Sequence, residues 1–179
     1  LLWPSWSEQY SLTKLSGYSS KMTSIFDVCG TITEKENTFS YIYFLQKSVL
    51  QKAWFFCTWF IGLLFSPVRG SYYAEQRIIK LLKGYSQEEL DEEAKEYAQY
   101  LRAHNLFSTD LLSTIRKKQK GSQRVVLLSA SIEPPIKAIA NLLNIKEYHA
   151  TTLSFSKGKC AGLGKDYLWG RKQTKLKSG

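Results

Sequence analysis

Residues 25–33 read IFDVCGTIT: two apolar residues, an aspartate, then Val-Cys-Gly-Thr and a polar tail. With the residues before it, MTSIFDV (22–28) has the composition of a short buried strand, so Asp27 falls at the strand's end. In open α/β sheets that is where ligands sit, outside the carboxyl ends of the strands. A carboxylate there, followed by Gly-Thr, can act as a nucleophile and a metal ligand. Gly30 lets the chain turn sharply, so that backbone amides face an anion.

RVVLLSAS (124–131) is the second decisive stretch. Its four consecutive apolar residues fit a strand covered on both faces, as in a parallel sheet. Ser129 reads as the end of that strand. Its hydroxyl and the amide of Ala130, just ahead of the helix expected over 132–145, can hold phosphate oxygens. That helix opens on a proline pair. YHATTLSFS (148–156) reads as one further strand, and GKCAGLG after it as a turn.

The stretch between the two decisive strands is helical. From Thr38 onward Phe39, Ile42, Tyr43, Leu45 and Val49 recur near helical spacing. Residues 53–68 (AWFFCTWFIGLLFSPV) carry no charge, lie between Lys47 and Lys52 on one side and Arg69 on the other, and are ended by Pro67 and Gly70. The run is short of the roughly 20 apolar residues that a transmembrane helix needs. Three readings stay open: a helix buried in a cap, an interfacial or re-entrant membrane helix with its aromatics at headgroup level, and a true span. Residues 71–106 give two helices. Gly84 stops the first, and Ser86 with Glu89 forms a capping box for the second. Residues 108–122 give a third, its basic end complementing the helix dipole.

The order is strand, helical insertion, strand, helix, strand, an α/β chain with a cap inserted after the first strand. A length of 179 residues suits one such domain. Lys and Arg outnumber Asp and Glu by 25 to 15, a formal charge of +10. This favours anionic partners such as phosphorylated substrates or an anionic membrane surface, or serves solubility alone. Basic residues are not interleaved with aromatics, so no nucleic-acid partner is expected. Cys29, Cys57 and Cys160 are an odd number without metal-site spacing, which argues for a reducing compartment and against disulfides or zinc. His104 and His149 read as surface or satisfied residues. Residues 1–21 are polar and aperiodic and lack the order of a signal peptide, and Met22 reads as the start, leaving 1–21 as a non-native or flexible extension.

DxxGTxT after an apolar strand, with an apolar strand ending in Ser-Ala-Ser about a hundred residues on, resembles the haloacid dehalogenase-like phosphatase superfamily. The helical insertion resembles the cap of its phosphoserine-phosphatase-like branch. The aromatic apolar run and the ending WGRK are similar to a sub-branch that includes bacterial phosphatidylglycerophosphatases. The resemblance covers residues 22–179. It implies a Rossmann-like core over 22–34 and 122–179, with a cap over 35–121. It implies a Mg²⁺-dependent phosphomonoesterase at the cytoplasmic side, peripheral to the membrane if residues 53–68 dock there. The substrate would be a membrane lipid phosphate or a small soluble phosphometabolite such as a phospho-amino acid.

By the same resemblance, Asp27 attacks phosphorus and forms an aspartyl-phosphate, and Asp27 and the backbone carbonyl of Cys29 bind Mg²⁺. Thr31 brackets the loop, and Ser129 binds the phosphoryl group. A lysine neutralises charge: Lys172, in the K-x-x-x-L of GRKQTKL, with Lys175 as the alternative and a solvated basic tail as the bland reading. Two departures stand out. The family usually has a second Asp, its general acid and base, where this chain has Cys29, and a thiol with an ordinary pKa near 8.5 is a poor substitute. The family's acidic pair, G-D-x-x-x-D, does not follow Lys172. Asp91, Asp110 and Asp166 are not placed to replace it. The chain therefore reads as a C-terminally truncated fragment with an incomplete core. A catalytically impaired, non-enzymatic member is the remaining alternative.

Overall fold

The computed structural model describes residues 23–70, 72–166 and 168. Residues 1–21, Met22, Lys172 and Lys175 lie outside the described residues. Strand β1 (Thr23–Asp27) pairs in parallel with β2 (Arg124–Ile132), and β2 with β3 (Glu147–Thr151), in the order β1-β2-β3. Parallel strands need long crossovers. The first crossover is the helical insertion, and the second is α6 (Glu133–Leu142). Val126, Leu127 and Leu128 of β2 are all buried, as a strand covered on both faces requires. Pro134 and Pro135 open α6, whose Ile136, Ile139 and Ala140 enter the core.

The insertion holds α1 (Asn37–Phe44), α2 (Val49–Arg69), α3 (Tyr73–Ile79) with a 3-10 turn (Lys80–Leu82), α4 (Gln87–Ala103) and α5 (Thr109–Lys120). The capping box of α4 forms as expected, with Ser86 and Glu89 serving each other's backbone amides. Helix α2 differs from expectation in three ways. It does not continue α1, because Ser48 and Gln51 form a second capping box that starts a new helix at Val49. Pro67 lies inside its last turn, and the stop is Gly70, whose φ of 101° ends the helix. Its burial is confined to Phe55, Thr58 and Gly62, so it is not the buried core of the cap. At Gly62 an added Cβ would lie 2.5 Å from Ala74 Cα, so this glycine lets α2 and α3 touch backbone to backbone.

The segment expected as one strand over 148–156 is two. β3 ends at Thr151, and β4 (Leu153–Ser156) turns away to pair antiparallel with β5 (Lys159–Leu163), the segment expected as a turn. This hairpin reaches the cap, where Cys160 exchanges backbone hydrogen bonds with Gly84 and Tyr85 at 3.3 and 2.7 Å.

Candidate functional site

Asp27 ends β1 as expected and is paired in register with Leu128, so Ser129 is the next residue along the neighbouring strand. One carboxylate oxygen, Oδ1, accepts the Val28 amide at 2.8 Å, which fixes the orientation of the group. The chain then turns. Gly30 has a φ of 67° with open space where a Cβ would be, so the backbone conformation, not crowding, calls for glycine. The turn closes on the carbonyl of Val28, which accepts the Thr33 amide at 2.9 Å and the Thr31 amide at 3.4 Å. Thr31 is half-buried in this turn.

Ser129 is not at the end of its strand. β2 runs on to Ile132, with a register shift against β3 between Leu128 and Ile132. Ala130 is likewise still in the strand, three residues short of α6, and its carbonyl accepts the Thr151 hydroxyl at 2.6 Å. Its amide is thus not a helix-end amide as expected. Ser129 and Ser131 alternate onto one face of β2, and both are buried.

Cys29 meets both serines. Its sulfur lies 2.9 Å from Ser131 Oγ and 3.4 Å from Ser129 Oγ, and it accepts Asn37 Nδ2–H at 3.2 Å. Ser131 donates its hydroxyl to Glu36 Oε1 at 2.9 Å. That leaves Ser131 Oγ as an acceptor for the Cys29 S–H. Burial, joined by the Glu36 carboxylate, pushes the thiol above its ordinary value, while its serine and asparagine contacts pull the other way. The group is therefore a neutral thiol at physiological pH. Asn37 also donates to Thr33 Oγ1 at 2.8 Å and accepts the Tyr97 hydroxyl at 3.2 Å, so the base of the cap is locked to the loop after β1. Glu36 Oε2 caps α1 through the Phe39 amide at 2.8 Å.

On the cap side, Glu75 of α3 feels Glu36. Burial, and secondarily the Glu36 charge, raises its carboxyl to about 8, so it is protonated near neutrality. Among the described residues, Glu75 Oε2 and Arg77 Nε are buried with no hydrogen-bond partner.

Sequence reasoning missed Glu36, Asn37, Ser131 and Glu75. Ser131 carried a readable signal, since residues two apart on a strand share a face. Glu36 stood at the expected loop–helix junction. Asp91 pairs with Lys137 at 2.7 Å across α4 and α6.

Among the described residues no group of three or more His, Cys, Asp or Glu side chains is arranged to hold a metal. The donors at the end of β1 are nevertheless hard oxygens. A Mg²⁺ ion uses one or two carboxylates plus substrate phosphate and water, so Asp27 with the carbonyl of Cys29 fits that chemistry in kind.

No curated protein matches the chain. Solved structures do. A protein of unknown function from Bordetella pertussis Tohama I superposes with a TM-score of 0.65 at 16% identity, covering 80% of this chain and 66% of that one. A HAD family hydrolase from Salmonella enterica serovar Typhi gives 0.61 at 11% identity, covering 87% and 50%. A phosphoserine phosphohydrolase-like protein from Francisella tularensis gives 0.52 at 18% identity, covering 79% and 64%. These likenesses are of fold, and the chain spans about half to two thirds of the length of these proteins. A family model of the haloacid dehalogenase-like hydrolases matches residues 25–176, from the strand that carries Asp27 through the whole cap and the Ser129 strand. The chain belongs to the haloacid dehalogenase-like hydrolase family.

Proposed function

We propose that this protein is a Mg²⁺-dependent phosphatase that hydrolyses phosphomonoesters through a phosphoryl group carried on Asp27. The observation that carries this reading is Asp27 at the end of β1, oriented by the Val28 amide, beside the neighbouring strand whose Ser129 hydroxyl lies 3.4 Å from Cys29 Sγ in the loop that follows Asp27. An Asp27 oxygen attacks phosphorus, the bond to the ester oxygen breaks, and the leaving alkoxide takes up a proton. Water then attacks the phosphorus of the acyl phosphate, releasing inorganic phosphate and the free carboxylate. Ser129 donates to a phosphoryl oxygen. Asp27 and the Cys29 carbonyl would hold Mg²⁺, which neutralises phosphoryl charge when bound. Lys172, or Lys175, would add a second positive charge.

Protonation of the leaving group is the weak step, because Cys29 is a high-pKa thiol whose proton is engaged by Ser131. The site therefore favours esters whose leaving group departs without help. A lipid-borne phosphate is the finer reading of the substrate, supported by the apolar surface of α2. A small zwitterionic phosphometabolite, such as a phospho-amino acid, has one feature in its favour. The buried Glu75 Oε2, whose carboxyl feels the Glu36 charge, would offer such a leaving group a polar contact. The proposed setting is cytoplasmic, in keeping with three free cysteines.

The test is hydrolysis of an aryl phosphate with and without Mg²⁺, beside Asp27→Asn, together with trapping of the phosphoryl-enzyme. Metal-dependent turnover that Asp27→Asn abolishes is expected. Neither turnover nor label on Asp27 would sink the reading and leave a binding protein on a phosphatase fold.

A further inference from the structure

Nothing in the proposed chemistry uses the outer surface of α2. This helix is long and apolar enough to cross a membrane, yet only 17% of its most apolar window is buried. Leu50, Trp54, Phe60 and Leu64 are 83, 65, 58 and 61% exposed. The face that holds α2 to the cap is narrow. Phe55 and Trp59 pack on Phe39 with ring centres 4.8 and 5.2 Å away, and Gly62 rides on Ala74. With residues about 100° apart around the helix, the exposed apolar arc spans roughly 200°. An ordinary core-facing stripe is only about half as wide.

From this we infer that α2 docks the protein onto an anionic bilayer, lying in the plane of the interface rather than crossing it. Three observations select this occupant. An arc this wide wraps the helix, whereas a protein partner or a second copy would cover one side; a surrounding medium of acyl chains meets the whole arc. Between Glu36 and Glu75 the chain has no carboxylate, and Lys47, Lys52 and Arg69 stand at the two ends of the apolar run. Lys47 is engaged by Glu93 of α4 at 2.7 Å, and Lys52 and Arg69 carry the positive sign that matches acidic headgroups. Finally, α2 cannot cross alone. Its inner face is fixed to α3, so a span would pull Glu75 and Arg77 toward hydrocarbon, where both are costly. An in-plane helix sinks only about 5–10 Å and leaves α1 and α3 on the aqueous side.

Attachment goes beyond the hydrolase reading; only the further step, that the attached enzyme takes its phosphoester from a lipid, rests on it. The test is cosedimentation of the full chain with phosphatidylcholine vesicles, with and without a third of phosphatidylserine. Cys57 serves as a reporter. It is the exposed cysteine of the three, near the middle of the apolar arc, while Cys160 is buried and Cys29 partly so.

The chain is expected to pellet with the anionic vesicles and to lose labelling of Cys57 by an impermeant maleimide. Trp54→Ser, Phe60→Ser and Leu64→Ser together should lower partitioning about a thousandfold, near tenfold for each lost anchor. Lys52→Gln and Arg69→Gln should each lower it about fivefold, on anionic vesicles only. Asp27→Asn should bind as the parent does, so loss of catalysis and loss of attachment are read separately. Failure of the parent to pellet, or Cys57 labelling unchanged by vesicles, overturns the inference. So does a dimer that protects Cys57 without lipid, which would assign the face to a second copy. Labelling of Val68→Cys, at an exposed position, from the far side of sealed vesicles would overturn the in-plane orientation.

Discussion

Replacing Cys29 by Asp tests the site at the point where it departs from its family. The sulfur is ringed by potential donors: Ser131 Oγ at 2.9 Å, Asn37 Nδ2 at 3.2 Å and Ser129 Oγ at 3.4 Å. Hydrogen bonds to a charged group contribute about 1.5–3 kcal/mol each. Two or three of them offset a desolvation cost of several kcal/mol for a buried ion. The competing demand is Glu36. Ser131 has one O–H and now gives it to Glu36, so it cannot serve both carboxylates. The new carboxyl is therefore held partly protonated, which suits a general acid, and the change in stability should stay under about 2 kcal/mol, a Tm shift below roughly 8 °C. A positioned general acid contributes about 10²–10⁴ in rate, or roughly 3–5 kcal/mol of barrier. An alkyl phosphate needs that proton, and a nitrophenyl phosphate does not. Cys29→Asp should raise kcat/KM for the alkyl ester by about 10²–10⁴ and for the aryl ester by less than about tenfold. If the variant folds and still phosphorylates Asp27 but the alkyl-to-aryl ratio moves less than tenfold, Cys29 does not stand where the leaving group is protonated.

Other perturbations probe separate parts of the molecule. Ser129→Ala removes a buried hydroxyl that accepts the Ser131 amide at 3.2 Å, so steady-state assays should show a loss of about 10²–10³ in kcat, with a modest fall in Tm. Glu75, raised from 4.5 to about 8, keeps its proton in the folded chain while the unfolded chain releases it. Stability should therefore fall as pH rises between those values, by up to about 1.4 kcal/mol per unit, and urea midpoints of Glu75→Gln should lose that slope; an unchanged slope would place the titration elsewhere. Gly62→Ala puts a Cβ 2.5 Å from Ala74 Cα. An overpacking cost of about 1–3 kcal/mol, less about 1 for better helix propensity, gives a net loss of about 0–2 kcal/mol by thermal unfolding; a stabilised variant would mean the two helices do not meet there.

The sheet was legible where local pattern and partner agree. Four apolar residues in RVVLLSAS fit a covered strand, and the structure pairs that strand with the one Asp27 closes. The split between β3 and β4 was not legible, because YHATTLSFS is an unbroken extended pattern. What breaks it is the choice of partner. Thr151 stays with β2, while Thr152 turns to the carbonyl of Asp166 at 2.9 Å, 14 residues away. The cysteine network was invisible for the same reason: Glu36 and Ser131 are 95 residues apart, and no local spacing announces their hydrogen bond. The break before α2 is different, since the Ser48–Gln51 box was present in the sequence but overshadowed by apolar spacing that ran through it. Gly62 looked like one more small residue in an apolar run until Ala74 came to rest on it.

Helix α1 connects the two halves of the reading. It has only eight residues. At its first turn, Asn37 holds Cys29, and Glu36 just before it holds Ser131. From the same helix, the Phe39 ring packs on Phe55 and Trp59 of α2. The site and the inner face of α2 thus lie on opposite sides of one helix, about 10 Å across, with the apolar arc on the far side of α2. If α2 lies in the interface, the site stands on the aqueous side about two helix widths, roughly 20 Å, from the lipid-facing arc, near enough for the concentration of a vesicle-borne substrate to be set by the surface, not by the bulk. This separates the two substrate readings without naming a lipid. Removing the exposed anchors at Trp54, Phe60 and Leu64 should raise KM for a vesicle-borne phosphoester and leave an aryl phosphate in solution untouched. For a soluble phosphometabolite the same variant should behave as the parent does, and vesicles should make no difference to either.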